Sequence, residues 1–211
     1  MINSKCLEIA DYDNFSEHKI IQEMMDNTEG VYRYEHPHRK WEYGLAMKFL
    51  REVEARTVLN IGGANSPLST ALFNLGMEVT EVDPDAPDER LPNIKYLDKE
   101  FPYKGIARYD AIVSTSVIEH VSDHMKFFSD ILIHADKAVF LTMDFSPEGK
   151  TFSKYHIRTY SDTDMATFRS MATSSKYGYE YQDTSEYDYT SREKNVYDYN
   201  FASLALVKKS Q

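Results

Sequence analysis

The sequence predicts an α/β fold built on a mostly parallel sheet of seven strands that ends in an antiparallel hairpin. From residue 57 onward, strand-like apolar runs alternate with segments of helical periodicity. The first run leads into a small-residue turn at Gly62 and Gly63 and then into a helix. The last two strand-like runs have no helix between them, which favours an antiparallel pair because direct reversals suit antiparallel strands. The predicted arrangement is Rossmann-like and doubly wound.

The first 56 residues predict a helical extension in front of this core. Residues 15–27 and 39–53 mix apolar and charged positions at helix-like spacing. We expect residues 1–56 to form a lid over the carboxyl edge of the sheet. Residues 57–211 form the core, and the whole chain is predicted to be a single domain.

The core elements follow in order along the chain. Strands are predicted at residues 58–61, 78–83, 94–98, 109–114, 137–143, 177–181 and 199–207. Helices are predicted at about 67–76, 122–134 and 161–174, and a capping box at Ser161 and Asp164 opens the last of them. Prolines crowd residues 84–93, so an irregular link is expected there instead of a crossover helix.

The turn after the first strand and an acid after the second predict a nucleotide site. Gly62 and Gly63 let the backbone approach a ligand closely, and the following helix presents its N-terminus. Asp83 ends the second strand 21 positions after Gly62. An acid at about that distance binds the ribose hydroxyls in nucleotide-binding βαβ units. The sequence therefore predicts a nucleoside-containing cofactor.

The fourth strand carries a second motif, in which polar residues lead from the strand into a helix. This segment, Tyr109 to Val121, ends an apolar run with Ser-Thr-Ser-Val-Ile-Glu-His-Val. Ligands of open α/β sheets lie at the carboxyl ends of strands. Together with Val58–Ser66 and Asp83, the segment resembles the motifs of class I S-adenosylmethionine-dependent methyltransferases. The resemblance covers about residues 40–207.

This resemblance implies S-adenosylmethionine as the cofactor. It places Asp83 on the ribose and Asp98, at the end of the third strand, on the adenine amino group. The cofactor-binding residues that it implies are Asn60, Gly62, Gly63, Ala64, Asp83, Asp98, Ser114 and Thr115. Two positions depart from the family's pattern: Asn60 stands where the first motif often has an acid, and Ser66 replaces a glycine.

A softer resemblance ranks the acceptors. Residues 39–43 and 156–164 are similar to segments of methyltransferases from small-molecule and surface-sugar pathways. The similarity implies methyl transfer to an oxygen or nitrogen of a small polar acceptor, with a sugar or sugar nucleotide as the leading candidate. The predicted substrate-binding residues are Trp41, Tyr43 and Arg158.

Three side chains are candidates for a catalytic base: His120, His156 and Asp144. A hydroxyl acceptor must lose its proton as it attacks the methyl carbon, and a positioned base accelerates such a step by about 10²–10⁴-fold. Each candidate also has a simpler explanation. His120 then shapes the cofactor pocket, His156 belongs to an ordinary polar loop, and Asp144 is a solvated acid at a strand end.

The composition argues against several kinds of partner. A formal net charge of -10 without a cluster of basic residues disfavours nucleic acid, because phosphate affinity comes mostly from Lys and Arg. The longest apolar runs are strand-sized, which argues against a membrane span. A single cysteine and the lack of an N-terminal apolar segment indicate a cytoplasmic setting. His36 and His38 lack a matching ligand set, so no metal is expected.

Two other functions stay open. A catalytically degenerate methyltransferase fold that serves as a binding or scaffold protein is one, because Asn60 and Ser66 depart from the family's pattern. The other is an NAD(P)-dependent Rossmann enzyme, which shares the βαβ unit; here no tyrosine is followed by a lysine four residues later, as short-chain enzymes of that kind require. A homodimer is a possible assembly.

Overall fold

The computed structural model describes residues 37–63, 67–85, 90–146, 158–182 and 200–209, and the statements below concern these residues. The strands are β1 (Thr57–Ile61), β2 (Glu78–Val82), β3 (Lys95–Leu97), β4 (Tyr109–Thr115), β5 (Ala135–Phe145), β6 (Tyr179–Tyr181) and β7 (Asn200–Lys208). The α-helices are α1 (Pro37–Glu52), α2 (Leu68–Asn74), α3 (His124–His134) and α4 (Asp162–Thr173), with a 3₁₀ helix at Ile118–His120.

The seven strands form one sheet in the order β3-β2-β1-β4-β5-β7-β6. Strands β1 to β5 run parallel to one another, whereas β7 is antiparallel to both β5 and β6. This confirms the predicted fold class, including the antiparallel hairpin. The strand order reverses between β1 and β4, and sheets of this type bind ligands in the crevice at that point.

Helices cover both faces of the sheet and bury two hydrophobic clusters. Val58 and Val113 belong to the cluster beneath α1 and α2, whereas Leu59 and Ile112 belong to the cluster beneath α3 and α4. Because both faces are covered, the central strands are nearly continuous apolar runs. A polar side chain inside such a strand therefore needs a specific explanation.

The helix α3 begins later than the sequence predicted. The chain after β4 first forms the 3₁₀ helix, and the side chain of Asp123 then accepts a hydrogen bond from the backbone N–H of Lys126. This aspartate cap satisfies one of the open N–H groups of the first turn and fixes the start of the helix at His124. The predicted capping box of α4, Ser161 with Asp164, is present.

The strand β5 is longer than predicted. It follows α3 directly at Ala135, and its antiparallel pairing with β7 continues as far as Phe145. The pairing supplies backbone hydrogen bonds beyond the apolar run that revealed the strand, so the sequence pattern underestimates its length. As a result Asp144 lies within β5 and not beyond it.

Part of the predicted N-terminal extension is described. The helix expected at residues 39–53 is α1, whereas residues 15–27 lie outside the described part of the chain, and the division at residue 56 stays a prediction. No described helix is long and apolar enough to cross a membrane. The described ranges also hold no group of His, Cys, Asp and Glu side chains able to bind a metal ion.

Candidate active site

A cavity of about 330 Å³ lies at the carboxyl edge of the sheet. Its floor comes from the ends of β1 and β2 at Gly62 and Val82, and its far side from the 3₁₀ helix and the residues after it. Phe101 and Phe127 pack edge to face with ring centroids 5.4 Å apart and form an aromatic wall. The volume is in the range of small-molecule sites, which are mostly apolar with a few polar groups.

The turn after β1 has no room for a side chain at either glycine. Gly62 has a positive φ of 72°, and a Cβ there would lie 2.3 Å from Cγ2 of Val117. Its N–H donates to the carbonyl of Val82, which holds the turn against β2. A Cβ on Gly63 would lie 2.5 Å from Nδ2 of Asn60 and 2.7 Å from Oε2 of Glu81. A side chain at either glycine would therefore displace its neighbours, and at Gly62 the displaced neighbour, Val117, lines the cavity.

Beneath this turn, three buried polar side chains form a chain of hydrogen bonds. Nδ2 of Asn60 donates to Oγ of Ser69 at 2.9 Å, and Ser69 donates to Oε2 of Glu81 at 2.6 Å. Burial raises the pKa of Glu81 to about 7, although the hydrogen bond from Ser69 opposes the increase. The carboxyl group thus changes charge near neutral pH.

The two predicted cofactor acids differ in their surroundings. Asp83 is 8% exposed, directly follows β2, and accepts the N–H of Asp85 at Oδ1. Val82 and Pro84, on either side of it, line the cavity. Asp98 lies just beyond β3 with a half-exposed side chain and forms an ion pair with Arg90 at 2.7 Å. Asp83 is therefore held in place at the cavity, whereas Asp98 is engaged at the surface beside it.

The end of β4 also contributes polar groups. Oγ of Ser114 donates to the carbonyl of Ile61 and links β4 to β1, and Thr115 is buried beside it. The next residue, Ser116, has a positive φ of 50°, which is costly for a non-glycine residue. Its hydroxyl donates to Oε1 of Glu42 at 2.9 Å, so α1 helps to hold this turn.

Of the three catalytic candidates, His120 lines the cavity. It ends the 3₁₀ helix with an exposed side chain, opposite the Gly62 turn. Asp144 is 1% exposed within β5 and does not line this cavity. His156 lies outside the described residues. The structure therefore brings His120 and the glycine turn together, and all three catalytic roles stay predictions.

Arg158 approaches the cavity from the loop before α4. Its guanidinium contacts the ring of His124 and donates to the carbonyl of Ser122, which lines the cavity. Burial lowers the pKa of His124, and the adjacent Arg158 lowers it further. A cation thus lies next to Ser122, which lines the cavity, and the substrate-binding role of Arg158 stays a prediction.

The remaining predicted residues are placed as follows. Tyr43 is 2% exposed and belongs to the core cluster beneath α1, so its phenol has no open surface toward an acceptor. Trp41 lies in α1 with its side chain outside the described part, and Ala64 lies outside the described residues altogether. Their binding roles stay predictions.

Sequence reasoning missed the residues whose hydrogen bonds hold the turns after β1 and β4. They are Glu42, Ser69, Glu81 and Ser116. One of them carried a signal. Glu81 lies inside β2 between apolar and threonine positions, away from the exposed first residue of the strand, and an acid at such an interior position indicates a specific partner. Glu42 had no such signal, because an acid on an amphipathic helix is ordinary, and its contact with Ser116 spans 74 residues.

A second cavity, of about 800 Å³, lies at the opposite, amino edge of the sheet. Arg108, Lys137 and Lys208 line it, where β4 and β5 begin and β7 ends. None of the predicted site residues lines it. Despite its size, we assign the site to the smaller cavity, because ligands of such sheets bind at the carboxyl ends of parallel strands.

Solved structures share this architecture. The N1-methyltransferase of 1,6-didemethyltoxoflavin from Burkholderia thailandensis, with S-adenosylhomocysteine bound, superposes with a TM-score of 0.66 at 12% identity, covering 99% of this chain and 94% of that one. Magnesium protoporphyrin IX methyltransferase from Synechocystis, also with S-adenosylhomocysteine, gives 0.60 at 13% identity, covering 95% and 99%. This chain has the class I methyltransferase fold.

A third solved structure has the same fold. The plantazolicin methyltransferase BpumL, in complex with a pentazolic desmethylPZN analog and S-adenosylhomocysteine, gives a TM-score of 0.62 at 11% identity, covering 95% of this chain and 94% of that one. The sequence itself matches no family model and no curated protein. The likeness is therefore one of fold.

Proposed function

We propose that this protein transfers the methyl group of S-adenosylmethionine to an oxygen or nitrogen of a small polar acceptor. The observation that carries the proposal is the cavity at the point where the strand order reverses, bordered by the Gly62 turn and flanked by Asp83. Similar folds that hold S-adenosylhomocysteine support it.

The residues present fit this cofactor. Gly62 and Val117 line the cavity side by side, and only a residue without a Cβ fits at position 62, so the bare backbone there suits close contact with a ligand. Asp83 suits a ribose diol. The aromatic wall of Phe101 and Phe127 suits an adenine ring. When bound, the cofactor supplies an electrophilic methyl group on a sulfonium. The protein then has to orient the two reactants and exclude water.

His120 is the residue best placed to move a proton. Its exposed ring lies on the cavity wall, where an acceptor can reach it. In the neutral form, one ring nitrogen accepts the proton that a hydroxyl or amine loses as it attacks the methyl carbon. Arg158, at the rim, orients the polar or anionic part of the acceptor.

A sugar or sugar nucleotide is our leading acceptor. The choice rests on the likeness of residues 39–43 and 156–164 to sugar-pathway enzymes, whereas the acceptors named for the similar structures are a toxoflavin precursor, a porphyrin and a plantazolicin analogue. The net charge of -10 argues against nucleic acid. We expect the protein to act in the cytoplasm.

Two measurements test this function. In a thermal-shift panel, S-adenosylmethionine and S-adenosylhomocysteine should raise the melting temperature, and NAD and NADP should not. Labelled S-adenosylmethionine is then added to cell extract separated into small molecules, glycans, nucleic acids and proteins. Label in nucleic acid or protein alone would overturn the acceptor class. Binding without any label transfer would favour the scaffold alternative, and stabilisation by NAD or NADP would favour the oxidoreductase.

A further inference from the structure

The buried chain of Asn60, Ser69 and Glu81 lies outside the roles assigned so far. Asn60 and Glu81 face each other across the parallel pair of β1 and β2, and Ser69 at the start of α2 bridges them. Asn60 is 1% exposed and Glu81 3%. In the described part of the chain, Oδ1 of Asn60 and Oε1 of Glu81 have no hydrogen-bond partner. Both therefore have unused acceptor capacity.

This chain of side chains supports the glycine turn from below. The Glu81 carboxylate and the Asn60 amide occupy the space that a side chain on Gly63 would need. The same turn also borders the cavity, because Gly62 lines it. The carboxylate of Glu81 is thus next to Gly63, and the neighbouring residue Gly62 lines the proposed cofactor site.

The charges around Glu81 do not compensate for its burial. Asp83, which directly follows the strand, raises the pKa of Glu81, whereas the hydrogen bond from Ser69 and the charge of Arg90 lower it. Its other neighbours across the sheet, Asn60 on β1 and Tyr96 on β3, are uncharged side chains. A buried carboxylate with so little compensation destabilises the fold, and such groups concentrate at functional sites.

We propose that Glu81 is a positioning residue for the cofactor: its carboxylate, held by Ser69 and Asn60, fixes the glycine turn and supplies the negative charge that favours a cationic ligand above it. This rests on the proposed function, because S-adenosylmethionine carries an ammonium and a sulfonium and its product keeps the ammonium. The low polarity around the group strengthens its attraction for a nearby cation relative to water.

Calorimetry with S-adenosylhomocysteine tests the proposal. Between pH 5.5 and 7.0 the ligand's ammonium stays protonated, while Glu81, whose pKa is about 7, changes from almost fully protonated to about half ionised. Wild-type affinity should therefore increase about tenfold over this range. In Glu81→Gln, the affinity at pH 7.0 should fall about tenfold to a hundredfold, the effect of losing a charged partner, and the pH dependence should disappear. Glu78→Gln, at the exposed start of the same strand, is the matched control and should behave like wild type.

A double variant moves the charge from one strand to the other. Asn60→Asp combined with Glu81→Gln keeps one carboxylate on the Ser69 hydroxyl and should recover most of the lost affinity. Recovery separates a need for charge from a general disturbance of packing. Circular dichroism checks that each variant is folded, and the wild-type pH profile tests the proposal even where a variant does not fold.

The outcomes are distinct. If wild type fails to bind S-adenosylhomocysteine, the proposed function fails. If wild type binds equally well at pH 5.5 and 7.0, or if Glu81→Gln binds like wild type, the function stands and Glu81 has no positioning role. Loss of affinity in Glu81→Gln that the double variant leaves unchanged also overturns the proposal, because the charge is then not what the turn requires.

Discussion

The two edges of the sheet handle charge in opposite ways. At the carboxyl edge the buried charged residues are all acids within the described ranges, namely Glu42, Glu81, Asp83, Glu119 and Asp144. At the amino edge, charges stay near the surface in ion pairs, Arg108 with Asp136 at 2.6 Å and Lys137 with Asp110 at 3.0 Å.

We interpret the buried acids of the carboxyl edge as serving function and the exposed ion pairs of the amino edge as contributing only slightly to stability. Burying charge is expensive, whereas an exposed ion pair contributes about 0–1 kcal/mol. Mutations at the carboxyl edge should therefore change binding and turnover strongly, and matched mutations at the amino edge should change little. The predictions below test that contrast, from the largest expected effect to the smallest.

The largest effect is expected at His120. If it is the base, His120→Ala lowers turnover by about 10²–10⁴-fold and leaves S-adenosylhomocysteine affinity nearly intact. Arg108→Ala, an exposed residue at the amino edge, is the control and should keep full turnover. Turnover is measured with labelled S-adenosylmethionine and binding by calorimetry. Equal losses of both in His120→Ala would instead assign the residue to the shape of the pocket.

Two glycines with positive φ distinguish crowding from backbone strain. Gly62→Ala and Gly76→Ala both place a side chain in the left-handed region, at a cost of about 1–2 kcal/mol. A Cβ at Gly76 meets nothing within 4 Å, whereas a Cβ at Gly62 meets Val117. We expect backbone strain to lower the unfolding free energy of both variants by a similar amount. Only Gly62→Ala should lose turnover, by about 100-fold, because a shift of about 1 Å in the position of a bound reactant has an effect of that size. Equal turnover in both variants would contradict the proposed site.

Asp83→Ala should weaken S-adenosylhomocysteine about tenfold to a hundredfold, since hydrogen bonds to a charged group contribute about 1.5–3 kcal/mol. Asp136→Ala, an exposed acid at the amino edge, should bind like wild type. Calorimetry gives both affinities. Unchanged affinity in Asp83→Ala would remove this residue from the site.

Glu81→Gln should make the protein more stable while it weakens binding. The folded-state pKa of Glu81 is raised to about 7 from 4.5, so its contribution to stability is full below about pH 4.5 and is lost as pH rises through 7. At pH 8 the charged carboxylate destabilises the fold by an amount on the order of 2–3 kcal/mol. The variant should therefore melt about 4–10 °C higher at pH 8. Scanning calorimetry at pH 5 should show a much smaller difference.

The smallest effect is expected from the amino-edge ion pair. Burial alone would raise the pKa of Asp110. The hydrogen bond from the backbone N–H of Arg56 and the ammonium of Lys137 lower it by more, so that the net shift of the pKa is downward. Lys137→Met should reduce the unfolding free energy by less than about 1 kcal/mol at pH 7. The difference should shrink in high salt and vanish as pH falls through the lowered pKa. Urea titrations at several pH values measure it, and a loss above 2 kcal/mol would contradict the contrast between the edges.

The sequence predicted the features that depend on local pattern. Apolar runs located the strands, and the capping box located α4, because both signals lie within a few neighbouring residues. The spacing of Gly62 and Asp83 selected them as cofactor residues; the structure places both at the carboxyl edge, and their binding roles stay predictions. Glu42, Ser69 and Ser116 were missed because their roles come from contacts between distant elements, which no local pattern contains. Tyr43 shows what a local pattern leaves open: the sequence placed an aromatic residue near the core, and only the fold shows that its side chain is buried in the cluster beneath α1, so its predicted contact with the acceptor stays a prediction.

The position of β7 in the sheet has a consequence for how the protein is made. This strand lies between β5 and β6, although it is the last of the seven along the chain. During synthesis, β1 to β5 emerge first, and β5 then presents a long apolar edge without its partner. An unpaired edge of this kind is a template for pairing with other chains. The nascent protein is therefore most prone to aggregate in the interval before residues 200–208 leave the ribosome.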